Sequence, residues 1–92
     1  MWKVTWSKSI EKDLARLLEF IRQKFRAWVV AVEHDGMRAV RELTGFHDEP
    51  LRGLRSGQRS VRLNRAYRVI YVEEKYGQIQ IANVIEVNKH EY

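Results

Sequence analysis

The sequence predicts an α+β domain with helices covering one face of a mostly antiparallel sheet, and three observations carry that reading. Apolar and polar residues alternate at the N-terminus, apolar residues recur at helical spacing through the rest of the first half, and three segments rich in Val, Ile and Tyr fill the second half. The connections between those last segments are short enough to be hairpins.

Trp2, Val4 and Trp6 alternate with Lys3 and Thr5, the period of a strand with one buried face, and Ser7 or Ser9 then offers a helix cap. From Ile10 the apolar positions run Leu14, Leu17, Leu18, Ile21, Phe25, Trp28, Val29 and Val32, with Lys, Arg and Glu on the opposite face. This stripe is long for so small a domain. It fits either one helix crossing the protein or an antiparallel pair broken near Leu18-Glu19. His34-Asp35-Gly36 reads as a stop, Met37 to Leu43 as one or two further turns, and Thr44-Gly45 as their end. Residues 46–58 contain the only proline and read as a loop across one face.

Strands are expected at Arg59 to Leu63, Tyr67 to Glu73 and Gln78 to Val87, joined through Asn64-Arg65-Ala66 and Glu74-Lys75-Tyr76-Gly77. The stretch Tyr67 to Val72 is apolar on both faces and belongs at the centre of the sheet. The first strand pairs at an edge of this meander or beside the last strand. No repeat, low-complexity tract or Gly/Ser-rich linker interrupts the chain, so one domain is expected to span 1–92.

A chain of 92 residues buries only about 60–65% of its unfolded surface, which leaves a thin core and places function on an open face rather than in an enclosed cavity. The absence of cysteine excludes a disulfide framework, thiolate-bound zinc and a cysteine nucleophile, and suits a reducing cytosol. No run approaches the ~18 apolar residues of a membrane span, and Met1 to Trp6 lack the order of a signal peptide, so a soluble intracellular protein is expected.

Seventeen Lys and Arg against twelve Asp and Glu give a net charge of +5 and a pI near 9.8, a balance that favours a polyanionic partner. The charge is concentrated: Arg52, Arg55, Arg59, Arg62, Arg65 and Arg68 fall together, and no acid stands between Glu49 and Glu73. Guanidinium groups match phosphate oxygens bidentately, so the series reads as a phosphate grip or as a solvated face. Arg59 and Arg68 lie within half-buried strand patterns, where each requires an anionic or hydrogen-bonding partner, either a phosphate or a structural carboxylate such as Glu86.

There is no glycine-rich phosphate loop, no nucleophile elbow and no pair of histidines at metal spacing, so neither a cofactor nor a metal is expected. His34, His47 and His90 are widely separated. His90 and Tyr92, side-chain types suited to proton transfer and to base stacking, stand two residues apart at the C-terminus and share a side if the segment is extended.

Several motifs together resemble the RelE/ParE superfamily of bacterial type II toxins, and within it the HigB/RelE-like mRNA interferase branch. They are His47-Asp48-Glu49-Pro50-Leu51-x-Gly53, Gly57-Gln58-Arg59-Ser60-x-Arg62-Leu63, Tyr67-Arg68-Val69-Ile70-Tyr71, and the closing Val87-Asn88-Lys89-His90-Glu91-Tyr92. The resemblance covers nearly the whole chain, with Trp2 to Trp6 as first strand. Two departures stand out: the loop has arginines where many relatives mix in lysines, and Leu18 replaces the proline that often separates the two helical arms.

The resemblance implies a β-α-α-β-β-β fold and a ribosome-dependent endoribonuclease that cuts messenger in the A site of the bacterial ribosome without metal. It places Arg68 on the scissile phosphate, His90 as acid or base, Tyr92 as a stacking or proton-handling group and His47 as a second acid/base partner. Arg59 and Arg62 would grip messenger, Arg65 would add to the RNA-binding surface, and Arg52 and Arg55 would meet ribosomal RNA. It further implies a bacterial cytoplasmic location and a masking antitoxin, HigA-like with a helix-turn-helix domain, with operator DNA engaged only through the complex. A same-fold ParE-like inhibitor of DNA gyrase and a non-catalytic RNA- or ribosome-binding module are the competing readings.

Overall fold

The computed structural model describes residues 1–89. Its elements are β1 (Trp2–Trp6), α1 (Lys8–Ala15), α2 (Glu19–Asp35), α3 (Met37–Arg41), a 3-10 turn at Thr44–Phe46, β2 (Glu49–Pro50), a second 3-10 turn at Gly53–Arg55, β3 (Gln58–Arg62), β4 (Tyr67–Tyr76) and β5 (Ile79–Lys89). The five strands form one sheet in the order β1-β5-β4-β3-β2, which makes β4 the central strand as its two apolar faces require. Every neighbouring pair is antiparallel except β1 with β5, which run parallel. The first strand thus lies beside the last.

The long apolar stripe is broken into two helices. Ser7 caps α1 by accepting a hydrogen bond from the Ile10 amide at 3.2 Å, and α1 ends at Arg16. Leu18 then opens α2 in extended geometry, with no side chain available to cap the helix. The buried residues of α2 are Ile21, Phe25, Trp28 and Val32, one stripe at alternating steps of four and three. Gly36 ends the helix with φ +87 and starts α3. A side chain there would be backbone-strained and would also meet the Trp2 ring at 3.6 Å.

The stripe packs on one sheet face, against Val61, Leu63, Val69, Tyr71, Ala82 and Val84. Trp28 is wholly buried between Phe25 and Tyr71, at ring-centroid distances of 6.0 and 5.3 Å. Each such apolar side chain contributes roughly 1.5–3 kcal/mol on burial. At the sheet edge, the Val4 amide on β1 donates to Glu33 of α2 at 3.0 Å, which satisfies a backbone group that the parallel ladder leaves outward.

β5 would present its residues to alternate faces if it were regular. Ile70 instead faces Glu86 while Tyr71 faces Val84, leaving Ile85 as an extra residue. That bulge lets Val84 and Val87 both reach the helical face, and turns Glu86 and Asn88 to the other.

Two boundaries differ from the sequence expectation. Glu74-Lys75-Tyr76 continue β4, and the hairpin turns at Gly77-Gln78, where Gly77 takes φ +62. Cross-strand pairing with β5 extends the strand further than its polar composition suggests. The loop over 46–58 also contains a two-residue strand, because Glu49 and Pro50 pair with Ser60 and Arg59.

That loop is fixed by one carboxylate. His47, at φ +48, turns the chain so that the following Asp48 points inward, its side chain fully buried. Asp48 accepts from the Tyr71 hydroxyl at 2.5 Å and from Arg59 Nε at 2.6 Å, and Arg41 of α3 lies 3.9 Å away. Arg41 is itself held by Glu73. Lys24 of α2 secures the start of the loop, donating to the Gly45 carbonyl at 3.1 Å while lying over the Phe46 ring. Burial and the Asp48 carboxylate both push the Tyr71 phenol well above its ordinary value.

Two outcomes follow from this packing. Replacing exposed Leu18 with serine supplies the missing cap and is expected to raise stability by about 1 kcal/mol, read as a higher urea midpoint at unchanged slope. Because folded Tyr71 keeps its proton after the unfolded chain has lost its own, its contribution is complete below pH 10 and declines as pH rises beyond it. Urea titrations at pH 8, 10 and 11 should therefore show a steeper alkaline decline in wild type than in Tyr71→Phe.

Candidate nucleic-acid interface

The side of the sheet away from the helices carries the cationic site. Strand register places Arg62 directly opposite Arg68, and Arg68 directly opposite Asn88, so the three form one row across β3, β4 and β5. Directly opposed side chains have Cβ atoms about 4.5–5.5 Å apart, and like charges in that position repel. Neither arginine forms a hydrogen bond or ion pair with a described residue. Arg68 is half-buried and Arg62 is exposed. An anion between or above them would relieve the repulsion, and two guanidinium forks suit a phosphate.

The next row is Ser60, Ile70 and Glu86. Ser60 and Ile70 are buried, and Glu86 is held from two sides. Arg55 from the loop donates to Glu86 at 2.6 Å and to Gln58 at 2.7 Å, while Asn88 donates to Glu86 at 2.7 Å. The Arg55 hydrogen bond, helped by that of Asn88, holds the Glu86 carboxyl below its ordinary value even though burial works against it. Glu86 is thus the structural carboxylate anticipated for an arginine, but its partner is Arg55 rather than Arg59 or Arg68.

Arg59 departs from the expected messenger grip. It sits opposite Tyr71, so strand alternation sends it to the helical side, where Asp48 takes it. Burial disfavours its charge, but the hydrogen bond and charge of Asp48 outweigh that and raise the guanidinium above its ordinary value. Arg59 is a structural cation on the face opposite Arg68. Asp48 itself was not singled out as a site residue; its signal was an acid beside Pro50 in a loop rich in arginine.

Arg52 is exposed at the start of the second 3-10 turn, and Arg65 is exposed in the turn between β3 and β4. His47 is exposed, with Nε2 at 3.5 Å from Glu49. It lies just ahead of β2, two strands from β4, which is about 10 Å at ordinary strand spacing, and no contact joins it to Arg68. His90 and Tyr92 lie outside the described residues. Among the described residues, no three His, Cys, Asp or Glu side chains converge as a metal site, and no helix is long and apolar enough to cross a membrane.

No protein-family model matches the sequence, and no curated protein matches it. Solved structures do. A YoeB/ParE toxin from Agrobacterium tumefaciens is 25% identical, covers 97% of this chain and 99% of its own, and superposes with a TM-score of 0.57. The YoeB-YefM complex from Staphylococcus aureus contains a chain that matches at TM-score 0.70 with 17% identity and 99% of both chains covered. The archaeal RelE-RelB complex from Pyrococcus horikoshii matches at TM-score 0.69, with 22% identity over 96% of this chain and 93% of the other. By fold, the chain is a member of the RelE/ParE toxin superfamily. The α+β architecture and the resemblance read from the motifs agree with it.

The segregation of arginines by face has a direct test. Arg62→Ala should lower the slope of log affinity against log salt for single-stranded RNA by about 0.7. Arg59→Ala should leave that slope unchanged and lower stability by about 1.5–3 kcal/mol, since the buried Asp48 loses a charged hydrogen bond. Fluorescence anisotropy and urea denaturation of both variants read the two effects separately.

Proposed function

We propose that this protein is the toxin of a type II toxin-antitoxin pair, a single toxin domain over 1–92 that cleaves messenger RNA in the ribosomal A site. The single observation carrying this reading is the row Arg62-Arg68-Asn88 on the open sheet face, where two opposed arginines lack a described partner in a fold shared with toxins of the RelE and YoeB kinds.

In the proposed reaction the ribose 2′-oxygen forms a bond to the adjacent phosphorus as the bond from phosphorus to the 5′-oxygen breaks. The 2′-hydroxyl proton passes to a base, and an acid protonates the departing 5′-oxygen, leaving a 2′,3′-cyclic phosphate and a 5′-hydroxyl. Arg68 and Arg62 stabilise the extra negative charge on the phosphorane, an electrostatic role commonly worth about 10²–10³ in rate. His90 is assigned to proton transfer and Tyr92 to stacking or proton handling, worth about 10²–10⁴ for a positioned acid or base. His47 stands at the rim as the second proton carrier. Arg52, Arg55 and Arg65 extend the basic surface toward ribosomal RNA, although Arg55 must share itself with Glu86.

The partner is an antitoxin that masks the basic face, assigned here as HigA-like with a helix-turn-helix domain through which the complex meets operator DNA. Two matching structures are complexes, YoeB with YefM and RelE with RelB, which supports an antitoxin partner. The setting is the bacterial cytoplasm.

Primer extension on a messenger in a purified translation system, with and without ribosomes, tests the reading. Wild type should cut only with ribosomes present, and Arg68→Ala and His90→Ala should each reduce cutting by about 10² or more. Uncut messenger with wild type would overturn the nuclease, and a supercoiling assay would then decide for the ParE-like gyrase inhibitor over a plain RNA-binding module.

A further inference from the structure

Asn88 occupies a position that the proposed chemistry leaves unused. It stands beside Arg68 across β4 and β5, on the open face, and its side chain is half-buried. An asparagine amide is ordinarily free to turn over, exchanging its donor for its acceptor. This one is not. Ionised Glu86 only accepts hydrogen bonds, so the 2.7 Å contact commits Asn88 Nδ2 to that side, and Arg55 holds Glu86 in turn at 2.6 Å.

Two hydrogen-bonding groups remain on Asn88. One is the second Nδ2 hydrogen and the other is Oδ1, which meets no donor among the described residues. They form a donor and an acceptor side by side in a fixed order, about one strand spacing from the arginine row. A nucleotide whose phosphate lies on Arg62 and Arg68 places its base within several ångströms of that phosphate. Single-stranded RNA is read by side chains that hydrogen-bond splayed base edges. The amide of asparagine pairs bidentately with adenine, whose N6 donates and N7 accepts.

We propose that Asn88 reads the base next to the phosphate held by Arg68, that its fixed amide selects adenine, and that Glu86 is a positioning residue which sets the amide's orientation. Glu86 takes no part in proton transfer: it is committed to Arg55 and Asn88, and its lowered proton affinity suits an orienting anion better than a base. The inference rests on the open-face RNA site proposed above, but its readout does not require cleavage.

Labelled hexamers of A, C, G and U, titrated in parallel against wild type, Asn88→Ala and Glu86→Gln, provide the test by anisotropy. Wild type should prefer the adenine hexamer by about tenfold. Asn88→Ala should bring all four within about twofold at little cost to the weaker three, and Glu86→Gln, which lets the amide turn over, should lose most of the preference while keeping overall affinity. The double variant Glu86→Gln with Asn88→Asp restores the hydrogen bond in reverse and presents acceptors alone, so its preference should move to cytosine, whose N4 donates. Equal affinities in wild type, or an adenine preference that survives Asn88→Ala, would overturn the inference. Adenine selectivity in a protein that leaves ribosome-bound messenger uncut would retain base reading and remove the nuclease.

Discussion

The buried carboxylate of Asp48 is the interaction on which the arrangement of this molecule depends. A charge taken fully out of water is tolerated only with partners on several sides, and Asp48 finds them on separate elements: Tyr71 on β4, Arg59 on β3, and Arg41 on α3 nearby. Its position therefore ties the loop after the helices to the centre of the sheet. The pairing of Glu49 and Pro50 with β3 and the reach of Arg55 to Glu86 both lie downstream of that anchor. Loss of Asp48 would free the segment that brings Arg55 to the open face, so the structural network on one side of the sheet governs the cationic surface on the other.

That division of labour comes from strand alternation. β3 reads Arg59, Ser60, Val61, Arg62, and its two arginines point to opposite sides. One neutralises a buried acid, and the other faces an arginine across the strand gap. The same residue type serves stability or anion binding according to parity alone. Net charge describes neither role.

Much of this was legible in the sequence. The alternation of Trp2, Val4 and Trp6, the helical stripe from Ile10 to Val32, and the hairpin signal at Asn64 all correspond to elements, and the Asn64 side chain accepts from the amides of Ala66 and Tyr67 to close its turn. The break at Leu18 remained one of two options because leucine carries no stop signal, and only packing of the two arms on the sheet decides for it. Parity of Arg59 could have been counted from Val61 and Leu63, which mark the buried face, and that count would have removed it from the RNA-binding group. Asp48 was harder to see, since a loop acid gives no periodic sign of burial. Arg68 and Arg62 were singled out from motif and density, and the register brings them together; His90 and Tyr92 lie beyond the described residues.

The extra residue in β5 has a consequence for how this strand can vary. Ile85 acts as a change of phase: upstream of it even-numbered positions serve the core, as Ala82 and Val84 do, and downstream the odd-numbered Val87 takes over. Substitution of Ile85, which is partly exposed, disturbs one side chain. Removal of Ile85 would instead interchange the two populations beyond it, driving Glu86 and Asn88 into apolar packing and setting Val87 in the cationic row. The strand can thus tolerate many letters at this position but not the loss of one, and the length of the segment, more than its composition, separates a hydrophobic interior from a polar working surface.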